Sequence, residues 1–246
     1  MTKKFGNEFK HVELDGYRNI NELYEQDSQL HACETLFGDW NAEVMVLAQD
    51  AANFNTLKKL KDEDNKNPFR HNPTNKTNKN LYEVLSSLKR FNLGEYRNPN
   101  NRNCGLYYAN AIWLLKDSSD MSGAITNRQV AYERNYEVFL ATLNNLPNLK
   151  LILTLGELSF NFLSNFVNQP IKKNWQLAVK NNQLNKVIID NRMIQLGAIY
   201  HTSNRGMIAR AKLNGLIGAN TCAKGLEITK QDLRNIFYQH ELLKGN

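Results

Sequence analysis

Short apolar runs and helical patterns alternate along the chain. Four continuous apolar runs are typical of strands buried in a parallel sheet, and they cover residues 43–48, 105–109, 149–155 and 194–200. A further run at residues 186–190 is expected to pair with the last of these as a hairpin that turns at Asn191.

Helical spacing of apolar residues fills the stretches between these runs. It predicts helices at residues 80–91, 127–143, 157–166 and 229–243. We therefore expect an α/β fold with a central, mostly parallel, four-stranded sheet flanked by helices on both faces. One domain should span residues 1–246. Residues 1–40 are expected to form an N-terminal helical extension, because helical spacing also runs from Tyr17 to Phe37.

Residues 55–79 interrupt this regular pattern. The segment is polar, rich in Lys and Asn, and longer than the ~12–15 residues usual for a loop without secondary structure. Pro68 and Phe69 lie in its middle and are followed by Arg70 and His71. We interpret it as a long polar loop, and either an ordered binding loop or a solvated tether fits this composition.

Charge and cysteine usage restrict the partners and cofactors. Lys and Arg exceed Asp and Glu by 31 − 24 = 7, which fits a polyanionic partner but equally an unspecialised basic surface. Cys33, Cys104 and Cys222 are far apart, so no zinc or iron–sulfur site is expected. No stretch approaches the ~18 apolar residues of a membrane span. We expect a cytoplasmic protein with no membrane partner, no metal and no cofactor.

Polar residues follow the apolar runs. Asp50 lies just after the first run, Asn110 follows the second run, and His201 follows the fourth run, at the start of the sequence His-Thr-Ser-Asn-Arg-Gly. Each residue taken alone is more often a turn or capping residue than a functional one. Together they place a carboxylate, an amide and an imidazole at one edge of one sheet, where ligands bind in such folds.

These segments resemble motifs of the uracil-DNA glycosylase superfamily. The similar stretches are VMVLAQDAAN at 44–53, GLYYANAIWLL at 105–115, LTLGELSFNFL at 153–163 and YHTSNRG at 200–206. They occur in the family's order over residues 41–210. The sequence departs from the family pattern at three positions, since Ala48 replaces Gly and both Ala51 and Thr202 replace Pro.

The resemblance implies a monofunctional DNA glycosylase that flips a pyrimidine nucleotide out of DNA and hydrolyses its N-glycosidic bond. Asp50 would stabilise the sugar cation and orient the attacking water, and His201 would stabilise the departing base through its O2 atom. Asn110 would read the Watson–Crick edge of the base. Gln49 would line the base pocket beside Asp50.

The resemblance also implies DNA contacts outside the base pocket. Ser203 and the adjacent backbone at Asn204 would hold a phosphate, and Arg205 or Met207 would fill the space that the flipped base vacates. Met207 alternatively is the first apolar residue of the next helix. DNA is therefore the expected partner, and the protein is expected to act as a monomer.

The base pocket has two further candidate residues. Phe69 is the candidate for stacking on the base, with Phe54 as its rival. The uracil-specific members carry a bulky Tyr two residues after the motif's Asp, and here this position holds Ala52.

The Ala52 pocket leaves the substrate open. The base could be uracil, a C5-modified pyrimidine, or a hypermodified cytosine such as the glucosylated bases of some phage genomes, and the role could be repair or antiviral defence. Two other classes stay open: a catalytically silent DNA-binding protein of the same fold, and an unrelated α/β hydrolase. No GxSxG motif supports the hydrolase.

Overall fold

A computed structural model describes residues 14–19, 36–50, 53–63, 75–100, 102–117, 128–167 and 174–240. The strands in these ranges are β1 (Tyr17–Arg18), β2 (Val44–Asp50), β3 (Gly94–Glu95), β4 (Asn98–Pro99), β5 (Leu106–Ile112), β6 (Leu115–Lys116), β7 (Leu151–Leu155), β8 (Asn185–Ile189) and β9 (Arg192–Ile199). The helices are α1 (Phe54–Glu63), α2 (Lys76–Ser86), α3 (Arg128–Asn144), α4 (Glu157–Phe166), α5 (Trp175–Lys180), α6 (Asn204–Leu213) and α7 (Thr221–Gln239).

The central sheet has the strand order β5-β2-β7-β9-β8. The four apolar runs form its parallel strands β5, β2, β7 and β9, whereas β8 lies antiparallel to β9 at the edge. The α/β class is therefore confirmed, but the expected four-stranded sheet is a mixed sheet of five strands. The additional strand belongs to the hairpin, which turns at Asp190 and Asn191 with φ values of 49° and 59°. Asp and Asn tolerate this left-handed conformation better than most residues.

Helices cover both faces of the sheet, because both faces of its parallel strands are apolar. On one face, residues of α3, α4 and α5 such as Phe139, Phe160 and Trp175 pack with Met45 and Leu47 of β2. On the other face, α2 and α7 pack with the alternate residues of the same strand. The contacts on that face include Leu81, Val84, Leu233 and Phe237 against Val44 and Val46.

The helical prediction for the N-terminal segment is wrong in the part that the structure describes. Tyr17 and Arg18 form β1, which pairs antiparallel with β6 through Tyr17 to Lys116 and Arg18 to Leu115. A tight turn precedes the strand, with Gly16 at a φ of 78°. Sequence periodicity could not reveal this pairing, because its partner lies about a hundred residues away in the chain. Residues 20–35 lie outside the described residues.

The long polar loop expected at residues 55–79 is also corrected. Helix α1 occupies its beginning, and α2 starts at Lys76 rather than at residue 80. Asparagine side chains cap both helices: Asn53 accepts from the backbone N–H of Thr56, and Asn75, inside the expected loop, accepts from that of Thr77. Residues 64–74, which include Phe69, lie outside the described residues.

The C-terminal helix α7 begins earlier than predicted. Thr229, the first residue of the predicted helix, lies inside the observed one, where its hydroxyl donates to the carbonyl of Gly225. None of the helices in the described ranges has the length and apolar character to cross a membrane.

Candidate active site

The strand order places a crevice at the carboxyl ends of β2 and β7. The chain passes from β2 to β5 on one side and then returns to β7 on the other side of β2. Parallel sheets bind ligands at such a reversal. Asp50 is the last residue of β2, and Asn110 on β5 lies beside Ala48 in the register. Alternation along the strands therefore puts Ala48, Asp50 and Asn110 on the same face of the sheet.

Two side chains hold the Asp50 carboxylate. Lys116 Nζ lies 2.8 Å from Asp50 Oδ2, and Gln49 Nε2 donates to the same oxygen at 3.1 Å. The ion pair is nearly buried, with 7% of the Lys116 side chain and 13% of the Asp50 side chain exposed. Within the described part of the chain, no hydrogen bond reaches Asp50 Oδ1. This oxygen can therefore accept a hydrogen bond from a bound water.

Lys116 is a site residue that sequence analysis missed. It belongs to β6, which follows β5 after a bend at Leu114, and the backbone N–H of Trp113 in this connection donates to the buried side chain of Asn135. Lys116 pairs with Tyr17 of β1, and burial together with the nearby Asp50 charge raises the pKa of Tyr17 to about 12. The available signal was a lysine after the apolar sequence Ile-Trp-Leu-Leu, since a buried lysine requires a partner.

His201 lies two residues after the end of β9 and is partly exposed near Asp50. Burial lowers its pKa, and the Asp50 charge opposes this effect. The backbone N–H of Ser203 donates to His201 Nδ1 at 3.3 Å. Since Nδ1 accepts, the neutral imidazole carries its proton on Nε2. His201 therefore presents a neutral N–H donor at the edge that also holds Asp50.

Helix α2 fixes the loop that carries His201. The Thr202 hydroxyl donates to the Thr77 carbonyl at 3.0 Å, and the buried Asn80 amide donates to the Thr202 carbonyl at 2.8 Å. Thr202 itself is fully buried. The departure from Pro at this position thus has a structural role here, because proline has no hydroxyl with which to bind α2.

Two glycines leave room for the His201 backbone. Gly156 has a φ of 90°, its N–H donates to the Ile199 carbonyl, and a Cβ there would lie 3.2 Å from His201 Cβ. A Cβ on Gly206, in the first turn of α6, would lie 1.8 Å from the His201 carbonyl oxygen. No side chain can be accommodated at that separation unless the helix or the loop moves.

Gly206→Ala is therefore expected to destabilise the protein and displace His201. Relief of the clash should cost about 1–3 kcal/mol of unfolding free energy, as for other overpacked sites. Thermal unfolding should report a lower Tm, with Ala209→Gly, at an exposed position of the same helix, as the control for propensity. An unchanged Tm for Gly206→Ala would contradict the contact between α6 and His201.

Asn110 provides an unsatisfied polar atom on the face of the sheet that carries Asp50. The residue is 6% exposed, and its Oδ1 has no hydrogen-bond partner in the part of the chain that the structure describes. A buried acceptor without a donor costs about 1–3 kcal/mol. A ligand that carries a hydrogen-bond donor would satisfy this acceptor.

Phe54 lies close to this site but is already covered on one face. It is buried at the start of α1, and the Arg18 guanidinium lies 3.4 Å from the centroid of its ring. A base could stack on that face only after Arg18 moved. Ala52 and Phe69, the other residues predicted for the base pocket, lie outside the described residues.

The predicted DNA-contact residues separate into exposed and buried ones. Ser203 caps α6 by accepting from the backbone N–H of Gly206, and Asn204 and Arg205 are exposed in the first turn. Met207 is fully buried in the core, so its prediction as a residue that enters the duplex is wrong. Its side chain packs inside because it lies on the face of α6 that contacts α7, where it meets Thr229.

Exposed cations lie near the His201 loop. Lys76 and Lys79 lie in the first turn of α2, whose Thr77 contacts this loop, and Arg205 lies at the start of α6. The three cations favour a polyanionic ligand near the loop, and Glu157, exposed at the start of α4, opposes them. Over the described ranges, no group of three or more His, Cys, Asp and Glu residues is arranged to hold a metal ion.

Comparison with known proteins gives no assignment. No protein-family model matches the chain, and no curated protein matches it. The arrangement of Asp50, Asn110 and His201 is therefore the basis for any functional proposal.

Proposed function

We propose that this protein is a DNA glycosylase that hydrolyses the N-glycosidic bond of a flipped-out pyrimidine and leaves an abasic site. The observation that carries the proposal is the unsatisfied Oδ1 of buried Asn110, which lies on the same face of the sheet as Asp50, the carboxylate whose charge acts on the His201 imidazole. The resemblance to the uracil-DNA glycosylase superfamily supports it.

The chemistry of base release fits these three groups. As the N-glycosidic bond breaks, positive charge develops on the sugar and negative charge on the base. Asp50 stabilises the sugar cation, and its Oδ1 orients the attacking water. His201 donates its Nε2 proton in a hydrogen bond to the base O2 and thereby stabilises the leaving group. A neutral imidazole can donate this hydrogen bond while its Nδ1 still accepts from the backbone N–H of Ser203.

Asn110 recognises the Watson–Crick edge of the base. Its carboxamide offers one acceptor and one donor group, and its unsatisfied Oδ1 requires a donor from the ligand. The N3–H of uracil-like bases and the exocyclic amine of cytosine-like bases both supply one. Both kinds of pyrimidine therefore fit this acceptor, and the restriction to pyrimidines comes from the family resemblance; the proposal includes modified forms of either kind.

Substitution at C5 distinguishes the possible substrates. The resemblance assigns Ala52 to the position where uracil-specific members carry a bulky Tyr, so the proposed base pocket would admit a C5 substituent, which extends the proposed substrates to 5-modified uracil and to hydroxymethylated or glucosylated cytosine. Excision of uracil or 5-modified uracil would indicate a role in DNA repair. Excision of hydroxymethylated or glucosylated cytosine would indicate defence against phage DNA.

The proposal is tested with matched oligonucleotides that carry uracil, thymine mispairs or hydroxymethylcytosine, together with phage DNA that contains glucosylated cytosine. We expect alkali-labile abasic sites on at least one modified pyrimidine and none on unmodified DNA. Tight DNA binding without abasic sites on any substrate would instead indicate a catalytically silent DNA-binding protein.

Replacement of Ala52 by Tyr tests the pocket size. The new ring should suppress excision of a C5-substituted base about tenfold or more relative to uracil, because steric exclusion acts only on the substituent. Single-turnover rates on paired substrates measure the ratio, and Ala51→Tyr serves as the neighbouring control. Equal loss on both bases in Ala52→Tyr would remove the steric argument.

The pH dependence of base release follows from the state of His201. Burial lowers the pKa of His201 from its ordinary value of about 6.5, so the imidazole stays neutral on acidification past that value. Protonation would also break the Ser203 N–H to Nδ1 bond. The rate should hold steady as the pH falls through about 6.5 and decline only at lower pH. An acid limb centred above 6.5 would contradict a neutral donor.

A further inference from the structure

The Lys116 amine is a nucleophile that the hydrolytic reaction does not use. Its residue is 5% exposed, and its Nζ lies 2.8 Å from Asp50 Oδ2. Burial of an ammonium is costly even when it is paired, and a better-packed apolar residue often replaces such a pair without loss of stability. The position of this amine next to the proposed reaction centre therefore points to chemistry rather than to stability alone.

We propose that Lys116 forms an imine with the aldehyde of the abasic site, so that the protein also cleaves the DNA strand on the 3′ side of that site. The inference rests on the proposed glycosylase function and extends the expected monofunctional reaction by one activity. The ligand class is a deoxyribose with a free C1′ aldehyde in DNA.

The geometry brings the amine to the reacting carbon. In the proposed function Asp50 orients a water towards C1′, so a group within hydrogen-bond distance of that carboxylate lies close to C1′ as well. The lysine side chain has rotatable bonds that permit a short movement. A carboxylate beside the amine also provides the base that nucleophilic catalysis by lysine requires.

The steps balance without an oxidant or reductant. The Lys116 ammonium transfers a proton to the Asp50 carboxylate, and the free electron pair on Nζ forms a bond to C1′ while a second Nζ proton passes to the aldehyde oxygen, which becomes a hydroxyl. Asp50 returns its proton to this hydroxyl, which leaves as water and produces a protonated imine. Asp50 then removes a proton from C2′, the C2′–C3′ double bond forms, and the C3′–O bond breaks with its electron pair on the departing phosphate, which takes the proton from Asp50. Water finally hydrolyses the imine and releases Lys116.

Borohydride trapping tests this inference on the full-length protein. The probe is a duplex and a single-stranded oligonucleotide that carry an abasic site formed beforehand, so that base release is not needed. We expect a covalent protein–DNA adduct on a denaturing gel, and peptide mapping should place it on Lys116. An abasic analogue without an aldehyde should give no adduct.

Lys116→Arg keeps the positive charge but has no amine that forms an imine under these conditions. It should lower adduct formation by roughly 100-fold or more. Lys150→Arg is the matched control, because Lys150 pairs with Glu43 at the amino ends of β2 and β7, away from Asp50. This variant should form the adduct like the unaltered protein. Mapping on the unaltered protein keeps the test valid if Lys116→Arg does not fold.

The possible outcomes separate the two proposals. An absent adduct, or an adduct that maps to another lysine, overturns the role of Lys116 even where base release occurs. An adduct on Lys116 supports it. Failure of base release on every substrate concerns the glycosylase proposal alone, since trapping uses an abasic site that is already present.

Discussion

Asp50→Asn is expected to lower the rate of base release by roughly 10²–10³-fold or more, because it removes the negative charge that stabilises the sugar cation. Asparagine has nearly the same shape as aspartate, so the pocket should keep its form. DNA affinity should not fall, since the change removes a negative charge near a polyanion. Single-turnover base release and a binding titration on the same substrate measure the two effects separately.

Stability needs its own control, because Asp50→Asn leaves the Lys116 ammonium without a countercharge. Loss of one partner from a buried pair costs about 3–5 kcal/mol. The double variant Asp50→Asn with Lys116→Met should regain part of this stability but no activity. Asp190→Asn, in the hairpin turn at the edge of the sheet, is the matched exchange away from the site. Full activity in Asp50→Asn would contradict the role of the carboxylate.

His201→Asn is expected to lower base release by roughly 10²–10³-fold, the usual effect of removing one donor that stabilises a developing anion. The Asn oxygen can replace Nδ1 as the acceptor for the Ser203 N–H, but its amide does not reach the position of Nε2. His201→Gln, whose amide nitrogen reaches further, should recover part of the rate. Comparison of the two variants therefore separates an effect on the structure of the loop from the loss of the Nε2 donor.

Thermal unfolding provides the control for the His201 variants. Both variants should have a Tm close to that of the unaltered protein. The loop is held by the hydrogen bonds of Thr202 to Thr77 and Asn80 of α2, and not by the imidazole alone. If Asn and Gln at position 201 gave equal rates, donation from Nε2 could not be the function of His201.

The strands and the order of the site residues were predictable from the sequence because they depend on local patterns. A parallel strand buried on both faces leaves a continuous apolar run, as in residues 149–155, and polar residues at its end are visible directly. The β8–β9 hairpin was predictable for the same reason, since its two strands and its turn are adjacent in the chain.

Features that depend on distant pairing were not predictable. Lys116 reaches Asp50 only because β6 follows a kink after β5 and pairs with β1, and neither contact leaves a periodic signal. The asparagines of residues 55–79, Asn75 among them, suggested a loop because asparagine favours turns and helix caps alike. Burial of Met207 depends on how α6 packs against α7, which helical spacing alone does not determine.

Mass spectrometry of the free base released from defined modified DNA is the most direct test of the proposed glycosylase activity. The glycosylase proposal predicts a free pyrimidine in an amount equal to the sum of intact and cleaved abasic sites, and loss of the free base in Asp50→Asn and His201→Asn. Release of a nucleotide or nucleoside instead of a free base, or undiminished release by both variants, would contradict it.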